Sequence, residues 1–156
     1  MIHHIEFGKE LLDELIYTCR KALPQKAYGI IAGKEWEHAD ELYPLRTNLR
    51  SDDAEIDKIF ASYGEFYCDR DRGFWIDRRE QHQVFKAIEV KGQRVIGIYH
   101  SHRFRMAVPS PIDIELHYDP DVLLVIVSLA TLGSPDVKAF RIFDKEYHEA
   151  RITIVP

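Results

Sequence analysis

His100-Ser-His-Arg-Phe-Arg-Met-Ala-Val-Pro-Ser110-Pro-Ile-Asp113 is the stretch from which the rest of the chain is best read. The residues leading into it, Arg94-Val-Ile-Gly-Ile-Tyr-His100, are branched and apolar enough for a strand. Residues two apart in a strand share a face, so His100 and His102 can present their imidazoles side by side. Ser110 and Pro111 then open a short helix over residues 111–118, with serine as cap and proline at the first helical position. Asp113 falls in its first turn, from which a carboxylate can aim at the same point. Two neutral imidazoles and one carboxylate are a catalytic zinc set that leaves the fourth tetrahedral position for water. Zinc brings the pKa of such a water to about 7, so a nucleophile exists at neutral pH.

Chance alone makes His-x-His pairs common. With 8 His in 156 residues, about 0.4 pairs are expected, about 0.03 with an Asp at the right distance, and about 0.001 once Ser110's position is required too. The metal reading survives that count; a satisfied pair of core histidines does not account for it.

Outward from this stretch, residues 122–128 (Val-Leu-Leu-Val-Ile-Val-Ser) read as a core strand, and 137–143 and 149–155 alternate as two more. Upstream, residues 79–90 form an amphipathic helix ended by Lys91-Gly92. Residues 7–23 form another, with Leu11, Leu12, Leu15, Ile16, Cys19 and Leu23 on one face and Pro24 as its stop. Tyr28 to Gly33 suits a buried strand, and residues 41–47 a second, which Pro44 assigns to an edge or a break. Residues 48–73 are charged and irregular, with a helix near 54–63, and read as an insertion and the most mobile part of the chain. The sum is about three helices and six or seven strands: an α/β fold with a central mixed β-sheet flanked by helices. The length of 156 residues fits one domain over 1–156 carrying that insertion.

Composition narrows the function. Charged residues make up 30% and hydrophobic ones 46%, which is globular rather than disordered. A formal charge of −5 supplies no electrostatic footprint for nucleic acid. The apolar runs are too short for a membrane span, and Met1-Ile-His-His-Ile5 has no signal-peptide pattern. Two cysteines, Cys19 in an apolar helix face and Cys68 in a charged loop, make no disulfide framework. A cytoplasmic protein is the expectation. His3 and His4 read as a solvated terminus, Trp36 and Trp75 as core, and the charged run 69–72 as a solvated loop or a substrate-facing lip.

With Ser110 eight and Asp113 eleven residues after His102, the sequence resembles the JAMM (MPN) metalloproteases. The resemblance covers nearly the whole chain. Pro24-Gln-Lys-Ala-Tyr-Gly29 is similar to the family's Pro-x-Glu-x-x-Gly element, Tyr43-Pro-Leu to its second strand, and Phe74-Trp-Ile-Asp77 to its Phe-x-Ile-Asp element. Residues 95–99, 123–129 and 138–142 are similar to the strands around them. The resemblance implies a cytidine-deaminase-like α/β fold with zinc at the sheet edge. It implies hydrolysis of a peptide or isopeptide bond, at the C-terminal tail of a ubiquitin-like or sulfur-carrier protein. His100, His102 and Asp113 would be the zinc ligands, and Ser110 would hydrogen-bond the tetrahedral intermediate.

Two positions depart from the pattern. Lys26 stands where the family has its general-base glutamate, and Arg103 replaces the proline after the second ligand. A positioned general base contributes about 10²–10⁴-fold in rate. An ammonium about 5 Å from Zn²⁺ meets repulsion on the order of 6 kcal/mol at an effective dielectric of ~20. Lys26 must therefore swing away or shed its proton, and a neutral amine could accept one. The alternative is a non-catalytic relative that binds a protein partner or peptide tail. A nucleobase deaminase is disfavoured, because the His-x-Glu and Pro-Cys-x-x-Cys elements are absent.

Overall fold

The computed structural model describes residues 3–69, 72–131 and 133–156. Met1, Ile2 and the middle of the charged 69–72 run lie outside the described residues. The strands are β1 (His4–Gly8), β2 (Tyr28–Gly33), β3 (His38–Ala39), β4 (Glu41–Leu45), β5 (Arg94–His102), β6 (Leu123–Ser128), β7 (Asp136–Phe143) and β8 (Glu146–Val155). The helices are α1 (Lys9–Ala22), α2 (Ala54–Ala61), α3 (Arg78–Val90) and α4 (Pro111–Leu116). All eight strands form one mixed sheet in the order β3-β1-β8-β7-β6-β5-β2-β4. β4 is an edge strand, which is where Pro44 can be tolerated.

One face of the sheet carries α1, whose Leu12, Leu15 and Cys19 pack with Ile5, Phe7, Ile31, Tyr99 and Val125. The turn into the sheet differs from the sequence expectation. Phe7 is a strand residue, and α1 starts only at Lys9. Ile5 and Phe7 are both fully buried, and β1 pairs in parallel with β8 through Ile5 and Ile152. Burying each is worth roughly 1.5–3 kcal/mol, whereas helix propensity differs by at most ~0.7 kcal/mol per ordinary residue. The strand wins. His4 is likewise a strand residue, its Nε2 2.6 Å from Thr153 Oγ1, rather than a solvated end. Trp36 is half exposed, capped by the Arg94 guanidinium at 4.7 Å, and is not core.

The opposite face holds the features that position the site. β5 runs parallel to β6, in register at His100 with Ile126 and His102 with Ser128, and α4 lies on the crossover between them. Both histidines therefore sit at the carboxyl end of β5, beside that of its parallel neighbour β6, the usual crevice of an α/β sheet. The loop after His102 is clamped at both ends. Leu129 N donates to His102 O at 2.8 Å, and Ser128 Oγ donates to Arg105 O at 2.6 Å.

Residues 48–73 pack a small core of their own. Ile56, Phe60 and Tyr67 are buried together with Ile112 of α4, and Leu49, Tyr63, Trp75 and Leu116 close around them. At the centre is Arg50, 1% exposed. Its guanidinium pairs with Asp57, donates to Arg72 O at 2.9 Å and Tyr67 O at 2.5 Å, and stacks 4.3 Å over Phe60. Asn48 Oδ1 pins both ends of the segment, accepting from Arg50 N at 3.0 Å and Trp75 N at 2.9 Å. Of the charges that made this stretch read as loop, Arg50 is spent on its interior with Asp57 half-buried beside it, while Asp52, Asp53, Glu55, Lys58, Glu65 and Asp69 stay exposed.

Candidate metal centre

Three side chains from two elements converge at the end of β5. His100 Nε2 and His102 Nε2 are 3.1 Å apart. Asp113 Oδ2 lies 3.3 Å from the first and 3.2 Å from the second. A tetrahedral zinc with bonds of about 2.0–2.2 Å holds its ligand atoms roughly 3.3–3.6 Å apart, so this triangle matches one face of the tetrahedron with slight contraction. Among the described residues this is the one group of three or more such side chains close enough to share an ion. His100, His102 and Asp113 are all buried.

The surroundings prepare these atoms as ligands. His102 Nδ1 lies 2.9 Å from Met106 O, and only a protonated Nδ1 can donate to a carbonyl. That fixes the tautomer and leaves the Nε2 lone pair facing the triangle. Burial lowers the His100 pKa to about 4, against the raising effect of Asp113, so its imidazole is neutral at pH 7. Burial pushes the Asp113 carboxyl up, but the facing imidazoles of His100 and His102 and the charge of Lys26 hold it well below the usual range. One carboxylate facing two imidazole nitrogens is a donor set that fits zinc.

Ser110 and Asp113 are locked to each other at the start of α4. Ser110 Oγ accepts from Asp113 N at 3.2 Å, and Asp113 Oδ2 accepts from Ser110 N at 2.9 Å. This capping box orients the carboxylate through the backbone. Because Oγ accepts in the cap, the serine's hydroxyl proton remains available for a second partner.

Lys26 lies two residues before β2, and its side chain turns to the site. Its Nζ is 5.5 Å from the Phe74 ring centre, and that ring is 5.4 Å from the imidazole of His100. Burial lowers its pKa, Asp113 raises it and Arg105 lowers it again. Ser101, between the two histidines, holds this segment in place: its Oγ accepts from Ala27 N at 2.9 Å and its N donates to Ala27 O at 2.9 Å. Neither Ser101 nor Arg105 stood out in the sequence, although both lie inside the quoted stretch. The alternation that put the histidines on one face also turned Ser101 toward a different neighbour.

Comparison with known proteins places this geometry. The chain is 27% identical over 146 residues to the CysO-cysteine peptidase of Mycobacterium tuberculosis, covering 94% of this chain and 88% of that one. A protein from Desulfitobacterium hafniense, solved in solution, superposes with a TM-score of 0.76 at 28% identity over 97% of this chain and 92% of that one. A JAB1/MPN domain protein from Archaeoglobus fulgidus shares the fold at a TM-score of 0.57 and 17% identity, over 97% and 98% of the two chains. The sequence profile of the prokaryotic homologs of the JAB domain matches residues 8–143, and the chain belongs to that family.

Proposed function

We propose that the protein is a zinc-dependent peptidase of the JAMM type, acting at the C-terminal tail of a small sulfur-carrier-like protein. The observation that carries this is the triangle of His100 Nε2, His102 Nε2 and Asp113 Oδ2, sized for one tetrahedral ion. The similarity to a CysO-cysteine peptidase supports the substrate class. His100, His102 and Asp113 would hold the metal, which supplies a Lewis acid and an acidic water at neutral pH. The hydroxyl proton of Ser110 is left over from its cap, and it donates to the oxygen on which negative charge develops. Lys26 occupies the place of the proton shuttle, and a lysine that keeps its proton cannot accept another. Catalysis on amides is therefore slow in this chain, and Lys26→Glu raises it on the order of 10²–10⁴-fold. The charge of Lys26 also favours a second reading, a relative that binds a tail without cutting it.

The test combines metal analysis with hydrolysis of a carrier protein bearing one extra C-terminal residue. The expected result is one zinc per chain, lost in His102→Ala, with slow cleavage that Lys26→Glu accelerates. Tight stoichiometric zinc in His102→Ala removes the site. Brisk cleavage slowed by Lys26→Glu makes the lysine the working base. A zinc-loaded Lys26→Glu variant that binds the tail without cutting it decides for the binding module.

A further inference from the structure

A primary amine stands in the cleft beside the metal centre without an acid to keep it charged. Lys26 lines that cleft with Arg72, Arg103 and Arg105, and no described lining residue is a carboxylate. Three surface lysines keep acids close: Lys9 pairs with Asp13, Lys58 with Glu55 and Lys91 with Glu41. Among the described residues Lys26 has no such pair, and its Nζ lies over the Phe74 ring at 5.5 Å. Burial lowers its pKa by more than Asp113 restores, and Arg105 lowers it again. A lysine that sheds its proton in this way is a nucleophile.

The surroundings favour turning that amine into an anion. Phe66 carries the Arg72 guanidinium at 3.8 Å and that of Arg105 at 4.8 Å, which holds both cations at the cleft wall. Planar guanidiniums recognise a carboxylate through paired hydrogen bonds. An anion among them also relieves the repulsion of like charges. The cavity volume is about 40 Å³, room for roughly three waters and so for a linear molecule of three heavy atoms.

We infer that Lys26 is a carbamylation site, its Nζ taking up carbon dioxide to give a carboxylate that the cleft guanidiniums hold beside the metal triangle. The Nζ lone pair attacks the carbon, one C–O electron pair moves onto oxygen, and the nitrogen gives up a proton to solvent. Nothing is oxidised or reduced, and loss of carbon dioxide reverses the step. A positive charge near the metal ligands becomes a negative one, so zinc and the carbamate each raise the affinity for the other by the same factor. Its use in catalysis rests on the peptidase reading above. The unmodified lysine gives the slow form, and the carbamate, whose carboxylate accepts a proton, gives the fast one.

The test supplies isotope-labelled bicarbonate, the source of carbon dioxide, to the full chain with and without zinc and reads the carbamate by carbon NMR. Lys26→Met and Lys26→Arg are measured beside it, with the folding of both checked from their amide spectra. A carbamate resonance is expected in the wild type, stronger with zinc, several-fold weaker in Arg105→Gln and absent from both Lys26 variants. Arg105 is exposed, so its substitution spares the fold. Zinc affinity from chelator competition is expected to rise on the order of tenfold with bicarbonate in the wild type and to stay constant in Lys26→Met. A resonance that survives both Lys26 variants belongs to the terminal amine and overturns the assignment, as does a wild type with no resonance. Hydrolysis is measured separately. Carbamate without cleavage by the zinc form leaves the modification standing and removes the peptidase, and cleavage without carbamate does the reverse.

Discussion

Arg50→Met isolates what the 48–73 segment does for the site. Methionine keeps most of the stem that lies on Phe60 but removes the guanidinium. Arg50 is 1% exposed, whereas the side chain of Asp57 is 29% exposed, so the acid can return to water and the carbonyls of Tyr67 and Arg72 cannot. Breaking a fully buried pair costs about 3–5 kcal/mol, and the partial exposure of Asp57 puts this one near 3. At ~1.4 kcal/mol per decade, that is about a 10²-fold rise in the opening of the segment. Native-state amide exchange reads it directly, with α2 amides exchanging about 10²-fold faster while β6 amides move little. Ile112 and Leu116 of α4 belong to the same cluster, so the opening loosens the helix that carries Asp113. Zinc should bind more weakly to Arg50→Met in proportion. A urea denaturation within 1 kcal/mol of wild type, with unchanged exchange in α2, would show that the guanidinium is solvated and the buttress unreal.

Gly29→Ala tests the sheet beneath the site: a Cβ there would sit 2.5 Å from the Tyr99 hydroxyl and 2.6 Å from its ring, so a loss of about 1–3 kcal/mol is expected in chemical denaturation, and a neutral result would mean the ring moves freely. Thiol labelling at pH 8 should count one cysteine in the native chain and two in denaturant. Burial pushes the Cys19 thiol up to about 12, while Cys68 is exposed, and fast native labelling of Cys19 would mean that α1 opens readily.

The convergence of His100, His102 and Asp113 was legible because it is decided locally. The strand alternation of His100 and His102, the Ser110-Pro111 helix start and Asp113 at the third helical position are decided within fourteen residues. What escaped depends on distant partners. β1 exists because Ile5 and Phe7 find β8, nearly the whole chain away, and β3 is a two-residue strand added to that edge. Nothing in the five residues from His4 to Gly8 outweighs the helical pattern that follows them. Arg50 escaped for a related reason. Its burial is created by carbonyls at Tyr67 and Arg72 that face inward only once the segment has folded. A lone arginine in a charged stretch looks like surface.

Lys26 and Arg103, the two departures from the JAMM pattern, line the same cleft. A glutamate at position 26 would set a second anion near Asp113 and draw a cation into the triangle. The lysine reverses that field, opposing the metal by up to ~6 kcal/mol if charged at about 5 Å. Lys26→Glu should therefore raise both the rate of amide hydrolysis and the affinity for zinc. If the rate rises while zinc affinity stays unchanged, the field of residue 26 does not reach the metal triangle, and the residue acts on proton transfer alone.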